Sequence, residues 1–288
     1  MPALYVVATP IGNLQDMSPR AVDTLKAVAL IAAEDTRVTM KLCQVFDIHV
    51  PLVSCHRHSE EQKAGGLIRR MMEENFDMAL VTDAGTPCVS DPGDVLVREA
   101  IVAGVEVIPV PGCCAAAAAL SVSGFDTREW AFYGFLPREK KALREKLLEI
   151  ARGVPVAVVH ESPHRVKDLL ACVAETLPGC RVSVSCDLTK LHEKTVRGTA
   201  EEALALLEDN PKAEKGEYCL VLDMHGVDLP RSEEAAADIP LAARLMELMV
   251  TRRVSLREAQ QLLAERGFKK NAVKAAALEM KKAWEDAL

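Results

Sequence analysis

The chain has 288 residues, 49% of them hydrophobic and 27% charged, with a formal net charge of −7. That length suits two domains with room for a small third, and no run of eighteen apolar residues is present to span a membrane. The acidic total argues against a protein that only coats nucleic acid, and nine Cys, an odd number without a C-x-x-C pair, argue against a disulfide framework or a zinc ribbon.

The first 135 residues alternate strand and helix signals. Leu4–Ala8 reads as a first strand, and the absence of a basic stretch before it points to the cytosol rather than to secretion. Ser18-Pro19 opens a helix, Ser as N-cap and Pro at the first helical position. Leu30–Ala33 and Leu52–Cys55 are buried runs. Ser59-Glu60-Glu61-Gln62 is a capping box, so a helix is expected to about Asn75. Met78–Val81 is the fourth strand, Asp91-Pro92 caps a helix to about Ala103, Val105–Val110 is the fifth strand, and Pro111-Gly112 turns into an Ala-rich helix, Cys113–Leu120. Continuous apolar strands alternating with helices imply a mostly parallel sheet covered on both faces.

Phe132–Pro137 reads as a linker to a second α/β domain. There a charged helix, Arg138–Arg152, precedes strand Val154–Val159, helix His164–Leu177, strand Arg181–Cys186, helix Ala200–Glu208 and strand Tyr218–Asp223. A second linker, Gly226–Asp238, leads to a helical tail. Helix Ile239–Val250 is followed by a capping box, Ser255 to Glu258, whose helix puts Leu256, Ala259, Leu262 and Leu263 on one face. Arg266-Gly267-Phe268 is a turn, and Asn271 caps a last helix with Val273, Ala276, Ala277, Met280 and Trp284 inward. The expected domains are residues 1–135, 136–227 and 232–288. Arg244 to Lys282 holds ten Lys/Arg against four Asp/Glu, either a solvated helical surface or a phosphate-binding face. The pattern fits a helix-turn-helix and a structural three-helix cap equally.

The most informative run is Asp83-Ala84-Gly85-Thr86-Pro87, which follows the fourth strand and precedes Cys88-Val89-Ser90-Asp91-Pro92-Gly93. Two Pro and two Gly there make a stiff loop at a strand's carboxyl end, where open α/β sheets bind ligands. Thr9–Leu14, Glu34–Arg37 and Pro111-Gly112 stand at three other strand ends. They offer backbone N–H and C=O groups rather than a phosphate nest, which suits a ligand with an adenine, a ribose and a zwitterionic tail. No Walker loop, G-x-G-x-x-G, H-E-x-x-H or G-x-S-x-G is present, so kinases, dinucleotide-binding dehydrogenases, zincins and α/β-hydrolases are disfavoured. Cys55-His56-Arg57-His58 is a polar loop after a strand in preference to a metal site, and no metal is expected.

Six motifs occur in one order: Thr9-Pro10-Ile11-Gly12-Asn13-Leu14, Ala33-Glu34-Asp35-Thr36-Arg37, Asp83–Pro87, Glu161-Ser162-Pro163-His164-Arg165, Leu188-Thr189-Lys190 and Gly216-Glu217-Tyr218. Together they resemble the small-subunit ribosomal RNA (cytidine-2′-O-)-methyltransferase family of the tetrapyrrole-methylase superfamily, over nearly the whole chain. The resemblance implies two α/β domains with S-adenosylmethionine in the cleft between them, a small C-terminal helical domain, and a homodimer. It further implies methylation of the ribose 2′-hydroxyl of a decoding-centre cytidine in 16S ribosomal RNA within the small subunit, with no membrane partner. Two positions depart from the family: His160 stands where an aromatic residue is common, and Cys113-Cys114 where Pro or Ser is. The alternatives are a methylase of a corrin or porphyrin precursor and a non-catalytic RNA-binding protein that senses the cofactor.

On that resemblance Asp35 and Glu161, with Glu34 and His160 behind them, are the candidate bases for a ribose hydroxyl. An ion pair of Asp35 with Arg37 or Arg20 and a helix-capping role for Glu161 are the structural alternatives. Pro10, the loop Asp83, Ala84, Gly85, Thr86 and Pro87, and Val89 and Ser90 are expected to hold the cofactor, with Pro111, Gly112 and Leu188 secondary. Arg37, Arg165 and Lys190, and in the tail Arg252, Arg253, Lys269 and Lys270, are expected to hold RNA phosphates, with surface ion pairs as their alternative.

Overall fold

The computed structural model describes residues 2–55, 57–208, 215–227, 240–265 and 268–285, without the side chains of residues 57–62, 265 and 282–285. The chain divides into two compact units, residues 1–228 and residues 229–288.

The larger unit is built on two five-stranded sheets. The first contains β1 (Ala3–Val7), β2 (Leu30–Ala33), β3 (Leu52–Ser54), β4 (Met78–Val81) and β5 (Glu106–Val110), in the order β3-β2-β4-β1-β5, and every pairing is parallel. The helices between them are α1 (Pro19–Ala27), α2 (Thr36–Val45), α3 (Arg57–Glu73) and α4 (Asp94–Val102). They cover both faces. One core packs Leu4, Leu30, Met78 and Leu80 against Ile68 and Met71 of α3 and Leu96 of α4; the other packs Val7, Ile31 and Val81 against Leu25 of α1 and Cys43 of α2. Strands buried on both faces must be apolar throughout, and β2 and β4 are buried at every position.

The second sheet contains β6 (Ala131–Phe135), β7 (Val156–Glu161), β8 (Arg181–Cys186), β9 (Lys194–Thr199) and β10 (Tyr218–Asp223), in the order β6-β7-β10-β8-β9. Only β6 and β7 run parallel; β10 is antiparallel to β7 and β8, and β8 to β9. Helices α6 (Lys140–Gly153), α7 (Val166–Thr176) and α8 (Ala200–Glu208) belong to this half, while α5 (Ala115–Ser121) leaves the first sheet and packs on the second. Ala116, Ala119 and Leu120 of α5 lie against Val156, Val158, Cys219 and Val221, joining the two halves in one core.

Several elements differ from their expected form. The segment expected as a linker, Phe132–Pro137, is mostly strand β6 at the edge of the second sheet. Helix α2 was not expected at all; Asp35 caps its N-terminus by accepting from Arg37 N–H. Helix α4 starts at Asp94 with Gly93 as its N-cap residue, so Asp91-Pro92 belong to the preceding turn and not to a cap. Strand β9, with one buried residue in six, was also missed. The Ser18 cap, with Ser18 Oγ accepting from Ala21 N–H at 3.1 Å, is as expected. Helix α3 already starts at Arg57, so Ser59 stands in its first turn and is not its N-cap; the possible His56 ligand and the second linker beyond Val227 lie outside the described residues.

The smaller unit holds α9 (Leu241–Arg252), α10 (Leu256–Glu265) and α11 (Lys270–Glu285). Its core is Leu245, Leu248, Ala259, Leu263, Val273, Ala276, Ala277 and Met280, the last six from the faces expected to point inward. Ser255 and Glu258 form the reciprocal capping box, Ser255 N–H to Glu258 Oε2 at 2.8 Å and Glu258 N–H to Ser255 Oγ at 3.3 Å. The last helix starts at Lys270, so Asn271 sits in its first turn and is not its cap. The side chain of Trp284 is outside the described set. No helix among the described residues is long and apolar enough to cross a membrane.

Leu80 is 1% exposed at the centre of the first sheet, one residue before the strand ends that carry the loops. Leu80→Ala should destabilise the chain by about 2–5 kcal/mol through lost burial and a residual cavity, read as a lower midpoint in urea unfolding.

Candidate active-site cleft

The parallel order of the first sheet puts the carboxyl ends of β1, β2, β4 and β5 along one edge, and the loops there are tied to one another. Thr9 and Gly85 exchange both backbone hydrogen bonds, at 2.8 and 3.0 Å. Thr9 Oγ1 donates to Thr82 O, and Thr86 Oγ1 donates to Cys113 O. Glu34 Oε2 accepts from Thr82 Oγ1 at 2.6 Å and from Asp83 N–H at 3.3 Å. Asp83 Oδ1 in turn accepts from Asp35 N–H at 3.0 Å. Gly85 sits at the centre of this weave with φ of +88°, a conformation that disfavours residues with a Cβ. Cys88 and Ser90 are also left-handed, at φ of 68° and 73°, and non-Gly residues so held cluster at functional sites.

The second sheet meets this edge with one of its own. Because β10 is antiparallel to β7, its first residue is level with the last residue of β7: Tyr218 pairs with Glu161, and Cys219 with His160. Between the two edges lies a cavity of about 390 Å³, within the range of roughly 300–1,000 Å³ for small-molecule sites. Ile11, Ala84, Ser90, Asp91 and Ala115 wall it from the first half; Phe135, His160–Pro163, Leu188 and Gly216–Cys219 wall it from the second. A second cavity of about 280 Å³ lies on the other side of the Thr9–Leu14 loop, lined by Pro10, Leu14, Val38, Leu42, Val45 and Asp83 among others.

The expected cofactor residues are thus divided. Ala84, Ser90 and Leu188 line the larger cavity; Pro10 and Asp83 line the smaller. Gly85, Thr86, Pro87, Val89, Pro111 and Gly112 line neither, and Gly85 and Thr86 brace the loops by the bonds above. Phe135, Ser162, Pro163, Glu217, Tyr218 and Cys219 are wall residues not expected from the sequence. Glu217 and Tyr218 lay in one of the six motifs, which was the signal available for them.

Three of the candidate bases, Asp35, Glu161 and His160, and the neighbouring Asp83 have distinct environments. Asp35 is bound to Arg37 through Oδ2 at 2.6 Å, and this bond with the backbone N–H of Arg37 lowers its pKa to about 2. Arg20 instead donates to Pro109 O. Burial, and then the neighbouring Glu34, raise the pKa of Asp83 above the ordinary carboxylate value. Glu161 is 2% exposed, its Oε1 accepts from Ser162 N–H at 2.7 Å, and its Oε2 lies 3.3 Å from Arg165 Nη2 without a hydrogen bond among the described residues. His160 packs edge-on against Phe132 and Phe135, its Nε2 is buried without a hydrogen-bond partner among the described residues, and burial lowers its pKa.

The expected phosphate contacts divide as well. Arg165 is mostly buried and donates to Pro137 O at 2.9 Å, bracing the end of β6. Lys190 donates to Asp187 Oδ1 at 3.1 Å and to Glu217 Oε2 at 3.0 Å. Burial opposes its charge, but these two bonds outweigh it and raise the pKa. Arg37 is 87% exposed while paired. Arg252, Arg253, Lys269 and Lys270 are exposed on the smaller unit.

Residues 3–204 match the profile of the family "Tetrapyrrole (Corrin/Porphyrin) Methylases". The chain is 40% identical over 281 residues to a protein of Pseudomonas aeruginosa named ribosomal RNA small subunit methyltransferase I, covering 96% of each. It is 43% identical to the protein of that name in Bacillus subtilis, over 77% of this chain and 75% of the relative. Among solved structures, a uroporphyrin-III-C-methyltransferase from Thermus thermophilus superposes with a TM-score of 0.52 at 19% identity, over 78% of this chain and 95% of that one. The methyltransferase CobJ superposes with 0.56 at 16% identity, over 77% and 94%. At those identities the structures speak to the fold alone.

The two neighbouring carboxylates should separate on titration. Followed by carboxyl carbon NMR, Asp35 should titrate near pH 2, and Asp83 above the ordinary Asp value, so acidification protonates Asp83 first. The reverse order would contradict the Arg37 pairing.

Proposed function

This chain belongs to the tetrapyrrole (corrin/porphyrin) methylases, and among them to the family of ribosomal RNA small subunit methyltransferase I, and on that premise we propose that it methylates small-subunit (16S) ribosomal RNA with S-adenosylmethionine. The target in this proposal is the ribose 2′-hydroxyl of a decoding-centre cytidine, and the working form is a cytoplasmic homodimer.

The observation that carries the cofactor assignment is His160 Nε2, buried on the wall of the larger cavity without a hydrogen-bond partner among the described residues. Buried polar atoms without partners are rare and call for an explanation; a ligand with an amino group and ribose hydroxyls supplies a partner for this nitrogen. Leu188, Phe135 and Ala115 offer apolar surface for its base, and Ala84, Ser90 and Gly216 bring backbone close to it. S-adenosylmethionine, when bound, supplies a methyl group already activated by its sulfonium.

The residues of the chain have the remaining tasks. The interlocked loops at Thr9, Gly85 and Thr86 hold the cleft to one shape, and fixed positioning of two reactants contributes roughly 7–11 kcal/mol in favourable cases. A ribose hydroxyl is a weak nucleophile, and a positioned base contributes roughly 10²–10⁴-fold. Of the four candidates we assign this role to Glu161, with Oε2 as the proton acceptor. Asp35, held by Arg37 at a pKa of about 2, is a poor base and a good helix cap. Glu34 is occupied by Thr82 and Asp83.

The test is transfer of labelled methyl from S-adenosylmethionine to small subunits lacking native methylation, followed by nucleoside separation. Label should appear in 2′-O-methylcytidine. Glu161→Gln should lower turnover roughly 10²–10⁴-fold, and Asp35→Asn by less than about tenfold. Full turnover in Glu161→Gln rules out the base assignment; cofactor binding without label in any nucleoside rules out the RNA reaction and favours a small-molecule substrate or a cofactor sensor.

Arg252, Arg253, Lys269 and Lys270 are exposed cations that fit RNA phosphates without reading bases. Replacing all four with Ala should weaken RNA binding, and flatten its dependence on salt by up to about three to four units of log–log slope. Cofactor affinity should not move. An unchanged salt slope would remove them from the interface.

A further inference from the structure

The cleft has one more cation, and its surroundings are those of neither a free phosphate ligand nor an idle surface pair. Lys190 follows the left-handed turn residues Asp187 and Thr189, at φ of 52° and 67°, beyond the end of β8. Its ammonium joins Asp187 to Glu217. Its aliphatic stem lies flat on Gly12 of the opposite half: a Cβ built on Gly12 would stand 2.5 Å from Lys190 Cγ and 3.2 Å from Cε. Asp187 also accepts from Glu217 N–H, and Gly216 packs on its carboxylate. The four positions thus joined or flanked by Lys190 carry wall residues of the larger cavity: Ile11 beside Gly12, Leu188 beside Asp187, and Gly216 and Glu217.

We propose that Lys190 is a positioning residue for the cofactor, a strap that closes one side of the cleft by holding the Ile11–Gly12 loop of the first half against the Leu188 and Gly216–Glu217 walls of the second. This rests on the larger cavity being the S-adenosylmethionine site. Three features separate a strap from a phosphate contact. The charge is spent within the fold, on two carboxylates. The stem does the bridging between halves, by contact with a residue that has no side chain of its own. The side chain is 35% exposed, against 87% for Arg37. Glycine at position 12 is then required by close approach, since any larger residue displaces the strap.

The experiment is calorimetric titration of S-adenosylmethionine into the full-length chain, with no RNA present, for wild type, Lys190→Met, Lys190→Arg, Lys190→Ala, Gly12→Ala and the double variant Lys190→Ala/Gly12→Ala. Lys190→Met keeps the stem and loses both charged hydrogen bonds; its cofactor Kd should rise roughly tenfold. Lys190→Arg should recover most of that loss. Gly12→Ala should weaken binding alone and add less once Lys190 is Ala, because the nearest clash partner, Lys190 Cγ at 2.5 Å, is gone while Thr189 Oγ1 at 3.1 Å stays, a coupling that general instability would not produce. RNA affinity and its salt slope, measured by filter binding, should be unchanged in Lys190→Met. A cofactor Kd within twofold of wild type in Lys190→Met, or fully additive losses in the double variant, overturns the strap. Loss of RNA affinity with a flatter salt slope and intact cofactor binding makes Lys190 a phosphate contact instead. A wild-type chain that binds no S-adenosylmethionine overturns the cofactor assignment and the strap together, and is told apart from the other outcomes because the variants then have no baseline to lose.

Discussion

The packing of α5 against the second sheet is the interaction on which the cleft depends. A run of five Ala, Ala115–Ala119, lets this helix lie close to β7 and β10, with Ala116 and Ala119 buried at 2% and 0% exposure. The same helix starts at the carboxyl end of β5, so its contact with Val156, Val158 and Val221 sets where the loops of the first sheet meet the edge of the second. Small side chains leave little slack in such a contact, and tightly packed interiors transmit displacement. The cavity is a gap between two rigid edges rather than a pocket inside either sheet.

Each edge is stiffened separately. In the first half the Thr9–Gly85 bridge and the Glu34 and Asp83 carboxylates bind consecutive loops to one another. In the second half the register of β10 with β7 and β8 fixes Tyr218 between Glu161 and Cys186. Left-handed non-Gly residues occur in both halves, Cys88 and Ser90 in the first and Asp187 and Thr189 in the second. Such backbone persists only where its surroundings over-determine it, which is the condition of a site formed before its ligand arrives.

The first sheet was legible because parallel strands covered on both faces are uniformly apolar, and Leu30–Ala33 and Met78–Val81 match the observed strands residue for residue. The edge strands were not. Strand β9, Lys-Thr-Val-Arg-Gly-Thr, buries only Val196, so little in its composition separates it from a loop; Gly134 made β6 resemble a linker. Helix α2 was hidden because Glu34–Arg37 was read as a ligand loop, whereas Asp35 both ends that loop and caps the helix. Site residues are visible where a motif marks them, but their roles are not where tertiary pairing decides, as with Lys190, whose partners Asp187 and Glu217 are 3 and 27 residues away.

The distribution of the thiols has a chemical consequence. Five of the nine Cys are buried: Cys43, Cys55, Cys172, Cys180 and Cys219. Burial pushes Cys180 and Cys219 up to about 12 and raises Cys43, Cys113 and Cys186 above the ordinary thiol value. Thiolate is the nucleophile in exchange and alkylation, so the folded chain carries many sulfurs in their inert form. Loss of structure restores the ordinary acidity of all of them at once. Modification of the five buried thiols is therefore a gauge of unfolding rather than of ambient redox, and once the chain has opened, random pairing among nine sulfurs will tend to keep it open.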